Sequence, residues 1–405
     1  MSNDVTTSKS WLQNLLPNDW GALSSAFAAA YGVGLLSLIA LPFTVGANMS
    51  SLGLDEAQAG LLSTLEFIGV FVTSVLLAPR VAKINRRTVA FAGAAIVVLA
   101  NLACAAFGSH EMLMVLRPIA GLGAGLALAT GNATVANADQ PEKFAGYMTG
   151  LFVVLMFIIT QFYPSVAESN GQTGLYLALA ITVAVLSPLL FFLPPNAPAQ
   201  SFVAEHSTDR GRVAILSTGG IMVLLAFFAF SLRDTMSWAF LASTGMEAGL
   251  SEERVGTLIG NSALVGLIGP LVAMLMGARF GLRLPLVVGI VASGLVTYGI
   301  SQSSTSAQLY SFSVMFWVGT YFFCLSYLTA LAAEIDVEGR VVAASGSALM
   351  IGLAVGPSFG GALIADGSYT VVGHVNNVLI VVTLVGALLA YQWAKKALAA
   401  APAAG

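Results

Sequence analysis

Twelve apolar runs, each close to the ~20 residues a helix needs to cross a hydrocarbon core, constrain this chain more than any other feature. The first six are Gly21 to Asn48, Ala59 to Ala78, Val89 to Phe107, Met112 to Val135, Ala145 to Val166 and Thr173 to Leu193. The second six are Val213 to Leu241, Val255 to Gly277, Leu284 to Ile300, Gln308 to Ala333, Val341 to Ala365 and Val375 to Trp393. Of the 405 residues 57% are hydrophobic and 9% charged, against about 25% charged in soluble domains. The fold expected is an all-α membrane protein of about twelve transmembrane helices. The glycines and prolines lie within the apolar runs, as is common in membrane helices, so disorder is excluded for most of the chain. Cys104 and Cys324 sit in separate apolar runs and read as packing residues, not a disulfide framework. A net charge of −3 suggests no nucleic-acid partner.

Pro194 to Arg212 is the longest polar interval after the N-terminus and reads as a linker. It divides the chain into six-helix halves, residues 1–193 and 213–405. Residues 1–19 are polar and lack the order of a signal peptide, so the first span is expected in the mature protein. With the N-terminus inside, all but three of the 16 Lys and Arg fall on the cytoplasmic side, the exceptions being Arg254, Arg117 and Arg233. The positive-inside bias therefore places both termini in the cytoplasm, and a bacterial-type inner membrane is expected. The halves also repeat one another. Lys83-x-x-x-Arg87 after the second span recurs as Arg279-x-x-x-Arg283 after the eighth, and Asp139-x-x-x-Lys143 recurs as Asp336-x-x-x-Arg340. Such duplication is typical of secondary transporters with a ligand site between the halves.

These motifs resemble those of the major facilitator superfamily along essentially the whole chain. The family signature between the second and third helices reads roughly Gly-x-x-x-Asp-Arg-x-Gly-Arg-Arg; here the segment ends Ala82-Lys83-Ile84-Asn85-Arg86-Arg87, and its repeat is Ala278-Arg279-Phe280-Gly281-Leu282-Arg283. The basic positions match and the Asp is Ala in both halves. The resemblance implies a cytoplasmic gate at Lys83, Arg86, Arg87, Arg279 and Arg283, with Asp139 and Asp336 supplying the lost carboxylate. Arg117-Pro118-Ile119-Ala120-Gly121-Leu122-Gly123-Ala124-Gly125 is similar to the family's fourth helix. Gly352-x-x-x-Gly356-Pro357-x-x-Gly360-Gly361 looks like its gating helices. Glycine ladders let backbones approach and slide, and Pro357 weakens its helix locally; tight static packing explains the ladders equally well.

Glu66, Arg117, Arg233 and Asp234 lie inside spans. An uncompensated charge there costs at least ~2.5 to 3.5 kcal/mol, so each needs a partner or water. Glu66 and Arg117 both lie ~10 Å below the outer end of their spans and are able to meet. They make either a fixed ion pair or a proton acceptor with a cation tuning it. Asp234 is the second-half counterpart for proton coupling. Arg233 and Asp234 are consecutive, point about 100° apart and are poor partners; Arg233 suits an anionic substrate group or a contact near the outer face. His110, His374 and His206 fall at loops and the linker and read as solvated. In the family architecture the fourth, seventh and tenth helices border the cavity. Gln161 of the fifth span, Asn261 of the eighth, and Trp317, Tyr321 and Tyr327 of the tenth are candidate substrate contacts, with Arg117 and Arg233.

Three function classes follow. The first is a proton-coupled secondary transporter working by alternating access, taking up an organic anion or exporting amphipathic and aromatic compounds by proton exchange. Its partners would be a small-molecule substrate, protons and the bilayer; it would be a monomer without a cofactor or metal. No phosphate-binding Gly-x-x-x-x-Gly-Lys-Ser/Thr loop appears. The second class, an intramembrane enzyme, lacks any catalytic set: there is no His-Glu-x-x-His and no histidine in a span. The third, a membrane sensor on a transporter fold, would be expected to carry a signalling domain or long soluble tail, and the chain ends in Ala-rich sequence soon after Lys396.

Overall fold

The computed structural model of the chain describes residues 19–138, 141–196, 215–277, 279–336 and 340–400, and among them there is no strand. Among the described residues twelve helices follow the apolar runs. They are α1 (Trp20–Leu52), α2 (Glu56–Leu77), α3 (Arg86–Ala106) and α4 (His110–Ala136). Next come α5 and α6, a continuous helical stretch Pro141–Leu186 divided at Gly171. The second set is α7 (Thr218–Ala239, continued by a short turn of helix Leu241–Glu247), α8 (Glu252–Met276), α9 (Arg283–Ser301), α10 (Ala307–Ile335), α11 (Arg340–Ala365) and α12 (Tyr369–Ala400). The helices begin where a short polar side chain can accept from first-turn amides: Asn85, Ser109, Ser217, Ser251 and Ser306 do so, and Asp55 forms a capping box with Gln58. At Gly171 the backbone takes φ 56°, ψ −149°, a conformation that glycine allows, and the chain turns back between α5 and α6 there. Asp139, Arg210, Arg212 and His206, with most of the expected linker, lie outside the described residues.

Each six-helix set packs through its small residues. A Cβ on Gly121 would fall on the Glu66 carbonyl, and one on Gly125 on the Val70 carbonyl, so α4 lies backbone to backbone against α2. Gly352, Gly356 and Gly360 press one stripe of α11 on α7 in the same way. Apolar side chains such as Leu99, Phe162, Val185, Leu275 and Phe312 remain exposed on the outside, which a hydrocarbon surround accommodates. The chain is a multi-pass membrane protein.

The end of the bundle that carries Lys83, Arg86, Arg87, Arg279, Arg283, Lys395 and Lys396 is called the basic end below, and the opposite one the far end. The halves meet through α2 with α11, α5 with α8 and α1 with α7. These contacts cluster toward the far end. Gly60 faces the Pro357 carbonyl, Gly361 faces the Glu56 carbonyl, and the Ser358 amide donates to Thr64 Oγ1 at 3.0 Å. On the other side Gly256 packs on Pro164 and the Thr160 carbonyl. The far end is closed.

Candidate functional site

Below that closure lies a cavity of about 300 Å³ between the halves, lined by α1, α5, α7, α10 and α11. Helical periodicity selects the lining. From α7 come Ser231, Asp234, Thr235 and Trp238, at i, i+3, i+4 and i+7, and from α10 come Trp317, Val318, Tyr321, Phe322 and Leu325. Tyr31, Leu35, Leu38 and Ile39 line it from α1, and Thr149, Phe152 and Met156 from α5. Thr149, Leu325 and Leu349 lie toward the basic end of their helices, so the cavity extends that way. Asp234 is the one charged residue among the described lining residues. Its Oδ1 accepts from Trp317 Nε1–H at 2.8 Å, and the Trp317 ring lies 4.8 Å from that of Trp238. The wall is otherwise aromatic and aliphatic with a few hydroxyls, suited to an apolar or aromatic body with one cationic or hydrogen-bonding group.

Glu66 and Arg117 meet, and they do so away from this cavity. Arg117 pairs with Glu66, donates from Nη1 to Asn101 Oδ1 at 2.9 Å and stands 5.0 Å from the centre of the Tyr176 ring. Ser37 Oγ lies 3.5 Å from Nη2. The Tyr176 hydroxyl and the Asn48 side chain are hydrogen-bonded in turn. Five helices of the first half thus enclose one neutralised pair. Neither residue lines the cavity.

Arg233 is also turned from the cavity, as its 100° step from Asp234 dictates. Its side chain is 1% exposed, its Nη1 donates to Ser293 Oγ at 3.2 Å, and its guanidinium lies 5.1 Å from the Phe230 ring centre. Nε and Nη2 have no acceptor among the described residues.

The remaining sequence candidates divide. Trp317 and Tyr321 line the cavity. Gln161 faces Gly260 at the α5–α8 contact. Asn261, on α8, is not among the lining residues. The Tyr327 hydroxyl reaches the Gly277 carbonyl at 3.3 Å, in a separate groove near the basic end. Tyr31, Phe152 and Trp238 are lining residues that the sequence candidates omit; their signal is the periodic stripe, which one sequence cannot assign to cavity or lipid.

At the basic end, Arg87 Nε donates to the Leu193 carbonyl at 3.0 Å and the Arg86 amide to that of Pro195 at 2.8 Å, which fastens the start of the linker. Arg86 Nε donates to the Val81 carbonyl at 3.1 Å. Lys83 lies on the short turn between α2 and α3, Arg279 on that between α8 and α9, and Arg283 is the first residue of α9. Asp336 Oδ2 accepts from the amides of Arg340 at 2.8 Å and Val341 at 3.3 Å, capping α11. Pro357 sits within α11 with its carbonyl against Gly60.

A sequence profile described as Major Facilitator Superfamily matches residues 22–232. No curated protein sequence matches the chain. Among solved structures, a bacterial homologue of the human lysosomal transporter Spinster, inward-facing and unoccupied, superposes with TM-score 0.74 at 12% identity, covering 96% of this chain and 100% of that one. The nucleoside transporter NupG superposes with TM-score 0.69 at 15% identity, covering 92% and 98%. A point mutant of NupG gives TM-score 0.70 at 16% identity over the same shares. At these identities the likeness carries the fold and no substrate.

Proposed function

The chain belongs to the Major Facilitator Superfamily and is a secondary transporter, and from that premise we propose that it exchanges protons for cationic or neutral aromatic, amphipathic compounds at Asp234. The observation that carries this reading is the single carboxylate among the described residues of an aromatic-rich cavity. A carboxylate there is able to hold either a proton or a cationic headgroup, and competition between the two couples their movement in opposite directions. An organic anion finds no positive side chain among the described lining residues, because Arg117 and Arg233 both point into helix packing.

The positive-inside bias supports a cytoplasmic basic end and an inner-membrane location. The far end is then outside, and the closed far end with a cavity reaching the other way corresponds to an inward-facing state. Alternating access would open the α2–α11 and α5–α8 contacts at the far end while the basic ends of α4, α5, α10 and α11 approach.

Thermal unfolding of the purified protein with three probes tests the substrate class, since a ligand present at 100 times its Kd adds about 2.7 kcal/mol to stability. Ethidium, an aromatic cation, is expected to raise the melting temperature, and benzoate to leave it unchanged. Caffeine, a neutral aromatic, is expected to act more weakly than ethidium. Stabilisation by benzoate alone would contradict the reading.

A further inference from the structure

Trp238 crosses the boundary between the halves: its indole Nε1–H donates to the main-chain carbonyl of Leu38 in α1 at 2.6 Å. A carbonyl inside a helix is ordinarily taken by the N–H four residues on. Here that residue is Pro42, within α1, and proline has no N–H to give. The acceptor used by α7 is therefore the one that the sequence of α1 vacates. Helix α1 is irregular just before this point as well, with Ala28–Gly34 in π-helical form and Leu35 at φ −120°, ψ 12°.

The same indole pair joins this contact to the cavity carboxylate. Trp238 packs on Trp317 with ring centres 4.8 Å apart, and Trp317 donates to Asp234. Leu38, Trp238, Trp317 and Asp234 all line the cavity. A cationic group that binds Asp234 draws on the same carboxylate charge that holds the Trp317 N–H at Oδ1, and so weakens that bond. A displaced Trp317 ring in turn removes the surface on which Trp238 rests.

We infer that Trp238 and the Pro42-vacated carbonyl of Leu38 form a latch holding the far end shut, with Trp317 tying the latch to Asp234. Occupation of Asp234 releases the bond. Trp238, Trp317 and Pro42 are thus positioning residues that carry the state of the cavity to the contact between the halves. The inference rests on the alternating-access reading above for its role in transport; the latch itself does not depend on the substrate class. The glycine-on-backbone contacts at the far end are held by packing alone, whereas this bond, like that of the Ser358 amide to Thr64 Oγ1, has a direction, and a small rotation of one ring can break it.

The test is the far-end distance measured by double electron–electron resonance in lipid nanodiscs, with spin labels at Asn170→Cys and Thr305→Cys. Both positions are exposed and lie at the far end, one in each half, while the native Cys104 and Cys324 are fully buried. Trp238→Phe keeps a ring and removes the donor; Pro42→Ala supplies an N–H that competes for the Leu38 carbonyl. Each is expected to raise the ratio of long to short distances roughly five-fold, the worth of one ordinary hydrogen bond. Since both act on one bond, the double variant should exceed neither single by much. Ethidium should lengthen the distance in the parent and not in Trp317→Phe. A parent that opens with ethidium, beside Trp238→Phe and Pro42→Ala variants unchanged without it, overturns the latch and leaves the transport reading standing. A parent indifferent to ethidium, beside variants that open, supports the latch and counts against Asp234 as the substrate site. Ethidium opening that persists in Trp317→Phe overturns the tie to the carboxylate.

Discussion

Arg117 of α4 closes on Glu66 of α2 inside the first half, with both side chains 4% exposed. Asn101 takes a further guanidinium donor and Tyr176 faces the guanidinium, so the charge is satisfied by protein on several sides. Neither residue is among those lining the cavity, and we propose that the pair serves to join helices.

Breaking it therefore costs stability more than coupling. Glu66→Gln strands a buried cation and is expected to lose about 3 to 5 kcal/mol. Glu66→Gln with Arg117→Gln should recover much of that loss, as read from melting temperatures. The folded Glu66→Gln protein should still accumulate substrate when a pH gradient is imposed. A stable single variant that has lost accumulation would instead make Glu66 the coupling group.

Far-end closure depends on hydrogen in place of a methyl at Gly60, because a Cβ there falls on the Pro357 carbonyl of the other half. Gly60→Ala is expected to destabilise the closed state by about 1 to 3 kcal/mol. The far-end spin-label distances should shift to the longer population, with the melting temperature little changed because the open state remains available. Unchanged distances would mean that α2 and α11 accommodate the methyl without parting.

Asp336 caps α11 through the amides of Arg340 and Val341. Asp336→Ala is expected to cost about 1 kcal/mol and Asp336→Asn to retain most of it, because asparagine caps comparably well. If instead Asp336→Asn shifts the conformational balance as far as Asp336→Ala does, the negative charge matters, and the residue belongs to the gate that the family resemblance implies.

Orientation is checked by a single cysteine at Asn196 or at Thr305, both exposed, one at each end of the bundle. An impermeant maleimide added to intact cells should label Thr305→Cys and spare Asn196→Cys. The reverse pattern would put the basic end outside and invert the assignment of the state.

Run length, depth and the helical step are written in the sequence, and each maps onto a feature of the fold. Twelve crossings follow from apolar run length, and the Gly171 break between α5 and α6 is the gap between Val166 and Thr173. The meeting of Glu66 with Arg117 follows from equal depth, and the divergence of Arg233 from Asp234 follows from the helical step. Which helix faces which is not encoded in depth. Gln161 and Tyr327 have the polarity and depth of ligand contacts, yet they pack at the α5–α8 seam and in the groove near the basic end. The bond between Trp238 and Leu38 is beyond a sequence reading for the same reason: Pro42 marks a vacated carbonyl, and only the fold shows what fills it.

Asp234→Asn bears on coupling at the cavity carboxylate more directly than any other change. Asparagine keeps the size and the acceptor for Trp317 and removes the titrating, charged group. Two readouts in proteoliposomes separate coupling from movement: ethidium accumulation driven by an imposed proton gradient, and caffeine counterflow without a gradient. Proton exchange at Asp234 predicts that Asp234→Asn abolishes gradient-driven ethidium accumulation while caffeine counterflow persists and the melting temperature stays near that of the parent. Gradient-driven ethidium accumulation at the parental rate in Asp234→Asn would contradict it.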